Sequence, residues 1–155
     1  PNPLPNSYLR FGSDEAPKYV SWSRQNRSQL VRIPQEKGDN CRMELRSPDP
    51  ACNPYLAIGL VLAAGLDGIE NRMVLSAPVN KNLFDPSEAE GLSLETQPAS
   101  LEEAVQAAEE SEFLRRVLPE QLATRYFTEE LKRCEALKHA SDPAEYERTH
   151  YFNAI

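Results

Sequence analysis

Arg42, Glu44 and Arg46 stand at alternate positions of the run 41–46, with Pro48 shortly behind it. In an extended strand such residues point to one face, about 7 Å apart, while Met43 and Leu45 point to the other and belong to a core. The carboxylate of that row can bind a hard divalent cation. Each guanidinium can grip phosphoryl or carboxylate oxygens two at a time, where a lysine offers only a point charge. Arg32, on the preceding β-prone run, can join the same face. Several arginines converging on one glutamate suit phosphoryl transfer, in which catalysis is mostly positioning and charge neutralisation. The bland alternative is a solvated face whose charges pair only with one another. Arginine is concentrated here: Arg10, Arg24, Arg27, Arg32, Arg42 and Arg46 supply six of the eight basic residues among the first fifty.

Short extended segments must carry these side chains. Eight of the thirteen prolines fall in residues 1–54, which favours strands and loops over helices in that half. Strands are expected over 18–23, 29–33 and 41–46, the last two joined by a polar turn containing Gly38 and therefore antiparallel. From Asn53 the period changes. Asn53 is placed to cap a helix, Pro54 fits its first turn, and Tyr55, Leu56, Ile58, Leu60, Val61, Leu62 and Leu66 are apolar almost all round. Such a helix is expected to be buried, with Gly59 and Gly65 admitting another backbone, and to end near Gly68. Residues 71–99 read as loop. Ser100 and Glu103 form a capping-box pattern before a helix over 101–108, and further helices are expected over 111–117, 119–138 and from Asp142-Pro143 to Arg148. Leu122, Tyr126, Leu131 and Leu137 are the expected core stripe of the long helix. The fold class is α+β: a small antiparallel sheet from residues 17–46 packed against a buried helix 53–69, with a C-terminal helical cluster.

Composition narrows the function. The 155 residues carry a net charge of −7, a poor match for nonspecific nucleic-acid binding, which draws on a broad basic surface. The charge is uneven: eight Lys and Arg face six Asp and Glu in residues 1–50, against nine and eighteen in the remainder. Cys41, Cys52 and Cys134 lack the spacing of a zinc site or a disulfide framework, so reduced thiols in a cytoplasmic protein are expected. Only His139 and His150 are available, which gives a histidine-based triad little support; His139, near a helix end, reads as a surface residue. No apolar run reaches the roughly 20 residues of a membrane span. A chain of this size buries roughly 70% of its unfolded surface, enough for a single core.

The motifs carry a resemblance over nearly the whole chain. Asn6-Ser7-Tyr8-Leu9-Arg10, Glu15-Ala16-Pro17, Asn26-Arg27-Ser28, Val31-Arg32-Ile33-Pro34, the run Arg42-Met43-Glu44-Leu45-Arg46-Ser47-Pro48-Asp49-Pro50 and Asn53-Pro54-Tyr55-Leu56-Ala57 resemble, in order and spacing, the C-terminal part of the glutamine synthetase catalytic domain. Ala63-Ala64-Gly65-Leu66-Asp67-Gly68-Ile69, Lys81-Asn82-Leu83-Phe84 and Ser100-Leu101-Glu102-Glu103-Ala104 continue it. The resemblance implies a role for each position. Arg10 and Arg46 would bind glutamate, at its α-carboxylate and near its reacting γ-carboxyl. Glu15 would be the flap glutamate that helps deprotonate ammonium, and Arg27 the catalytic arginine on the transferring phosphoryl group. Arg32 and Arg42, with Arg27, would contact ATP, and Glu44 would be a ligand of Mg²⁺ or Mn²⁺.

On that resemblance the chain is a fragment of a catalytic domain, with active-site strands and flap in 1–50 and a mainly helical part in 51–155. It would lack the family's N-terminal β-grasp domain, glycine-rich nucleotide loop and most metal ligands. The expected parent is a cytoplasmic homo-oligomer that ligates ammonia to L-glutamate through γ-glutamyl phosphate, binding neither nucleic acid nor membrane. The isolated fragment is expected to be inactive, and monomeric or weakly associated. Alternatives are a related ligase joining glutamate to a larger amine, and a non-catalytic module for assembly or regulation. Three departures stand out. The Arg10–Glu15 interval is one residue short of the commonest bacterial pattern, Asp39 replaces a nucleotide-side lysine, and Phe84 lacks the hydroxyl that some bacterial members adenylylate.

Overall fold

The structure is a computed structural model that describes residues 2–13, 15–35 and 37–151. Its three strands are short: β1 (Trp22–Ser23), β2 (Val31–Arg32) and β3 (Glu44–Leu45), in the order β1-β2-β3. The β2–β3 pair is antiparallel as expected, with Val31 opposite Leu45 and Arg32 opposite Glu44. The β1–β2 pair is parallel, so the sheet is mixed rather than wholly antiparallel. Side chains of the intervening loop explain the turn-back. Ser23 Oγ accepts from Asn26 N at 2.9 Å, and Asn26 Oδ1 accepts from Ser28 N at 2.8 Å, doubling the chain over before β2. The upstream half of the expected first strand has a different partner: Tyr19 bridges antiparallel to Thr96, with Val20 N donating to Glu95 O and Gln97 N to Lys18 O.

Among the described residues six α-helices follow: α1 (Pro54–Glu70), α2 (Pro86–Ala89), α3 (Leu101–Glu110), α4 (Glu112–Val117), α5 (Glu120–Lys138) and α6 (Pro143–Tyr151). Local chemistry sets their starts. Asn53 Oδ1 accepts from Tyr55 N at 3.0 Å and Leu56 N at 3.2 Å, with Pro54 in the first turn. Ser100 Oγ accepts from Glu103 N at 3.1 Å, but Glu103 returns its carboxylate to Ala99 N rather than to Ser100, so the capping box closes one residue early. The single turn α2 lies inside the segment read as loop. Asp85 caps it through Ser87 N, followed by Pro86, a start signal already written in the sequence.

Burial departs from expectation at α1. None of its residues is buried, and Tyr55 (87% exposed), Ile58, Leu62, Leu66 and Ile69 face solvent, continuing into Met73, Val74 and Leu75. Among the described residues nothing lies within 4 Å of a side chain placed at Gly59 or Gly65. A helix apolar on every side needs cover on every side; the described residues give it partial cover, along Leu56, Ala57 and Leu60, which line a cavity of about 120 Å³ shared with α3, α4 and α5, and at Asp67, which pairs with Arg116. The core is elsewhere. Tyr8, Leu101, Val105 and Cys134 form it, with Phe11, Ala104 and Phe127 against them. The inner face of α5 therefore runs through Phe127, Glu130 and Cys134, whereas Leu122 and Leu131 of the expected stripe are exposed. Steps of three and four residues hold one helix face; the steps of five and six in the expected stripe do not.

Glu130 is the unusual member of that face, only 3% exposed. Among the described residues its carboxylate accepts hydrogen bonds from Arg133 Nη1, at 3.2 and 3.3 Å. Burial raises its pKa above the ordinary carboxylate value, against the pull of Arg133. A carboxyl whose folded pKa is raised binds more protons folded than unfolded between the two pKa values. Stability therefore falls as pH rises through that window. Glu130→Gln is expected to be neutral or stabilising at pH 7, on the order of 1 kcal/mol, with the difference from the parent chain shrinking as the pH falls toward the ordinary carboxylate value. Urea unfolding at pH 4.5 and 7.5 checks this; a loss of stability at pH 7.5 would show that the charged form is the one the fold needs.

No described helix is long and apolar enough to cross a membrane. The three cysteines are free, and His139 lies exposed beyond α5 beside Glu135 at 3.7 Å.

Candidate active site

The β2–β3 register places Arg32 opposite Glu44, and the side chains meet. Arg32 Nη1 donates to both carboxylate oxygens, at 2.9 Å to Oε1 and 2.8 Å to Oε2, while its Nε donates to the carbonyl of Gln25 at 3.0 Å. Arg42 reaches the same carboxylate from two residues upstream, its Nε 3.2 Å and its Nη2 3.1 Å from Oε1. The hydrogen bond from Arg32, seconded by Arg42, holds the Glu44 carboxyl below the usual carboxylate range, so it is ionised at neutral pH. Three of the expected site residues thus form one charge cluster.

Arg46 leaves that row. Its Nη2 donates to the backbone carbonyl of Glu15 at 2.8 Å, with the Glu15 carboxylate 3.7 Å away, and its buried Nε has no partner among the described residues. The expected alternation on the third strand therefore splits into an Arg32–Glu44–Arg42 cluster and an Arg46–Glu15 pair. Only Glu44 and Leu45 keep strand geometry, so the two-residue period does not extend to 42 and 46. Met43, expected in a core, is 49% exposed for the same reason.

Glu15 sits on a tight turn. Gly12 N donates to Ala16 O and Ala16 N to Ser13 O, both at 2.8 Å. Glu15 itself takes φ = +63°, a left-handed conformation that few non-glycine residues adopt. The Arg46 bond to its carbonyl holds this strained backbone in place, while its carboxylate stays 66% exposed. Arg10 closes the other end of the same segment. Its Nη2 donates to Asn2 Oδ1 at 3.0 Å and to the carbonyl of Ser47, its Nε lies 4.0 Å from Asp49 Oδ2, and its guanidinium stands 5.2 Å over the Phe11 ring. The 12–16 turn and the chain just after β3 are therefore tied at both Arg10 and Arg46. Asp49 was not among the expected site residues, although it lies in the Ser47-Pro48-Asp49-Pro50 motif.

Arg27 stands apart. It is exposed, and no described residue forms a hydrogen bond or ion pair with it. Its neighbours are the opposite: Ser28 and Gln29 are buried, and Gln29 and Asn26 donate to the carbonyl of Lys81. A groove lined by Arg24, Gln25, Asn26, Gln35, Pro78 and Asn80 opens beside this turn.

A divalent cation does not fit the described residues by themselves. No three His, Cys, Asp or Glu among them are grouped to hold a metal, and both oxygens of Glu44 already accept from guanidinium groups. Mg²⁺ asks for near-octahedral oxygen ligation, which one occupied carboxylate cannot provide.

Comparison with known proteins gives this geometry its context. A family model of the glutamine synthetase catalytic domain matches residues 1–151. The chain is 48% identical over 128 residues to the glutamine synthetase of Methanosarcina mazei, spanning 81% of this chain and 29% of that protein. It is 38% identical over 153 residues to the glutamine synthetase of Staphylococcus aureus strain MW2, spanning 97% of this chain and 34% of the relative. A solved structure described as a GmaS/ADP complex superimposes with a TM-score of 0.78 at 32% identity, over 98% of this chain and 35% of that one. The chain spans about a third of the length of the curated relatives it matches.

Proposed function

The chain belongs to the glutamine synthetase catalytic-domain family, and on that premise we propose that it is part of a ligase coupling ATP cleavage to amide formation between ammonia and L-glutamate. The observation that carries this reading is the pair of ties holding the Glu15 turn against the strand end, at Arg46 and at Arg10. They put an exposed carboxylate and two glutamate-binding candidates in one place. In the proposal, Arg10 uses its Nη1, which has no hydrogen-bond partner among the described residues, for the α-carboxylate of glutamate. Arg46 has a buried, unpartnered Nε to turn toward the γ-carboxyl, and the exposed Glu15 carboxylate accepts a proton from ammonium at the flap. Arg27 neutralises charge on the phosphoryl group as it moves from ATP to the γ-carboxylate, and Arg32 and Arg42 serve the nucleotide side.

Glu44 is the proposed metal-side carboxylate. Because its oxygens are engaged by Arg32 and Arg42, any Mg²⁺ or Mn²⁺ would need further ligands from outside the described residues. Residues 1–50 supply the site and 51–155 its helical support, within one catalytic domain of a cytoplasmic homo-oligomer. The names of the matched relatives support the glutamine-forming reaction over a purely structural role.

The experiment is an amine comparison on the complete enzyme that carries this segment. With ATP and glutamate, ammonium is expected to yield glutamine with one ADP per amide, and methylamine or ethanolamine to yield little product. Preferential amidation of a larger amine would move the reading to a related ligase, and no amide with any amine would favour the non-catalytic module.

A further inference from the structure

The carbonyl oxygen of Lys81 collects donors from one turn more than fifty residues away. Asn26 Nδ2 lies at 2.7 Å and Gln29 Nε2 at 2.9 Å, enough to fill both lone pairs, and the Ser28 hydroxyl stands 3.3 Å off. Ser28 gives its proton at the shorter distance of 2.9 Å to Asn26 Oδ1, while its oxygen accepts from Leu83 N at 2.9 Å and from Gln29 Nε2 at 3.1 Å. Gln29 is 0% exposed, and Leu83 is buried beside it. Ser23 Oγ fixes the front of the turn by accepting from Asn26 N. The residues on either side of Arg27, namely Asn26, Ser28 and Gln29, are therefore held, while Arg27 itself projects into solvent without a partner among the described residues, as Arg24 does at the start of the turn.

These bonds flank Arg27 on both sides, at Asn26 and at Ser28 and Gln29. Donors held by buried acceptors rigidify the segment that carries them, although Gln29 Oε1 has no partner among the described residues. A charge partner contributes to a transition state only if it is in place beforehand, and a displacement of about 1 Å can cost roughly a hundredfold in rate. We infer that Asn26, Ser28 and Gln29 are positioning residues, which anchor the Arg27 turn to the 81–83 backbone and thereby set where the Arg27 guanidinium meets the transferring phosphoryl group. The inference rests on the proposed role of Arg27. It also makes the 81–84 loop, including Leu83 and Phe84, part of the working site, although none of its side chains need touch substrate.

The test is a double-mutant cycle in the complete enzyme, with kcat and KM measured separately for ATP and glutamate. Gln29→Leu keeps the buried volume and removes the donor to Lys81. It is expected to lower kcat by roughly ten- to a hundredfold with both KM values within about twofold of the parent enzyme. In an Arg27→Ala background the same change should lower kcat no further, because its effect passes through Arg27. Asn26→Ala, at a half-buried position, repeats the comparison if Gln29→Leu fails to fold. An additive loss in the Arg27→Ala background would overturn the positioning role while leaving the role of Arg27 intact. So would an unchanged kcat in Gln29→Leu and Asn26→Ala while Arg27→Ala is slow. If Arg27→Ala itself leaves kcat unchanged, the phosphoryl role fails and the inference falls with it.

Discussion

Arg27→Ala in the complete enzyme is expected to lower kcat by on the order of 10²–10³, while KM for glutamate stays near its parent value. The guanidinium is exposed and has no partner among the described residues, so its removal breaks no structural contact. Its turn is held by Asn26, Ser28 and Gln29 rather than by its own side chain. A large rate loss would therefore report lost charge stabilisation and not unfolding. Arg27→Lys is expected to recover only part of the rate, because an ammonium cannot make the two parallel bonds a guanidinium offers to phosphoryl oxygens. Steady-state kinetics with ATP, glutamate and ammonium decides the matter, and thermal melting of both variants should match the parent. Full turnover in Arg27→Ala would remove the phosphoryl role from this residue.

The 155-residue chain by itself is expected to form no glutamine from ATP, glutamate and ammonium, a complete loss relative to the whole enzyme. It spans 29% and 34% of the two relatives compared, and its described residues present one candidate metal carboxylate, already engaged by Arg32 and Arg42. The site is also wet: the Glu15 carboxylate and the Arg27 guanidinium stand in solvent, where charge–charge stabilisation is a small fraction of its value in an enclosed site. Coupled detection of ADP and of glutamine from the purified chain, at millimolar substrates with Mg²⁺ and with Mn²⁺, measures the outcome. Amide formation above the enzyme-free control would show that these residues suffice for catalysis.

The exposed side of α1 belongs to the same picture. Tyr55, Ile58, Leu62, Leu66 and Ile69 form a continuous apolar strip, longer than a folded domain ordinarily leaves in water. The sequence signals a helix there through Asn53, Pro54 and unbroken helix-compatible residues, and those signals act within four or five positions of each other. What covers the helix is a property of distant residues, and the composition of α1 says only that cover is required.

The same division runs through the site. The sequence alone determined the helix starts at Asn53, Ser100 and Ser111 and the antiparallel pairing of the second and third strands, because each depends on a cap or a turn only a few residues long, and it allowed Arg32 to share a face with Glu44. It also carried the family, through motifs whose order and spacing survive in the chain. Tertiary structure alone decided that Arg46 turns from the Glu44 row to the strained carbonyl of Glu15, thirty-one residues away. It decided too that α5 buries Glu130 and Cys134 rather than Leu122 and Leu131, and that Asn26 and Gln29 hold the loop at Lys81. Each of those outcomes is a competition among donors, acceptors and apolar surfaces brought together by the whole fold. A period or a cap records the preference of one segment, whereas the choice of partner is made by whatever the packed chain places within about 3 Å of it.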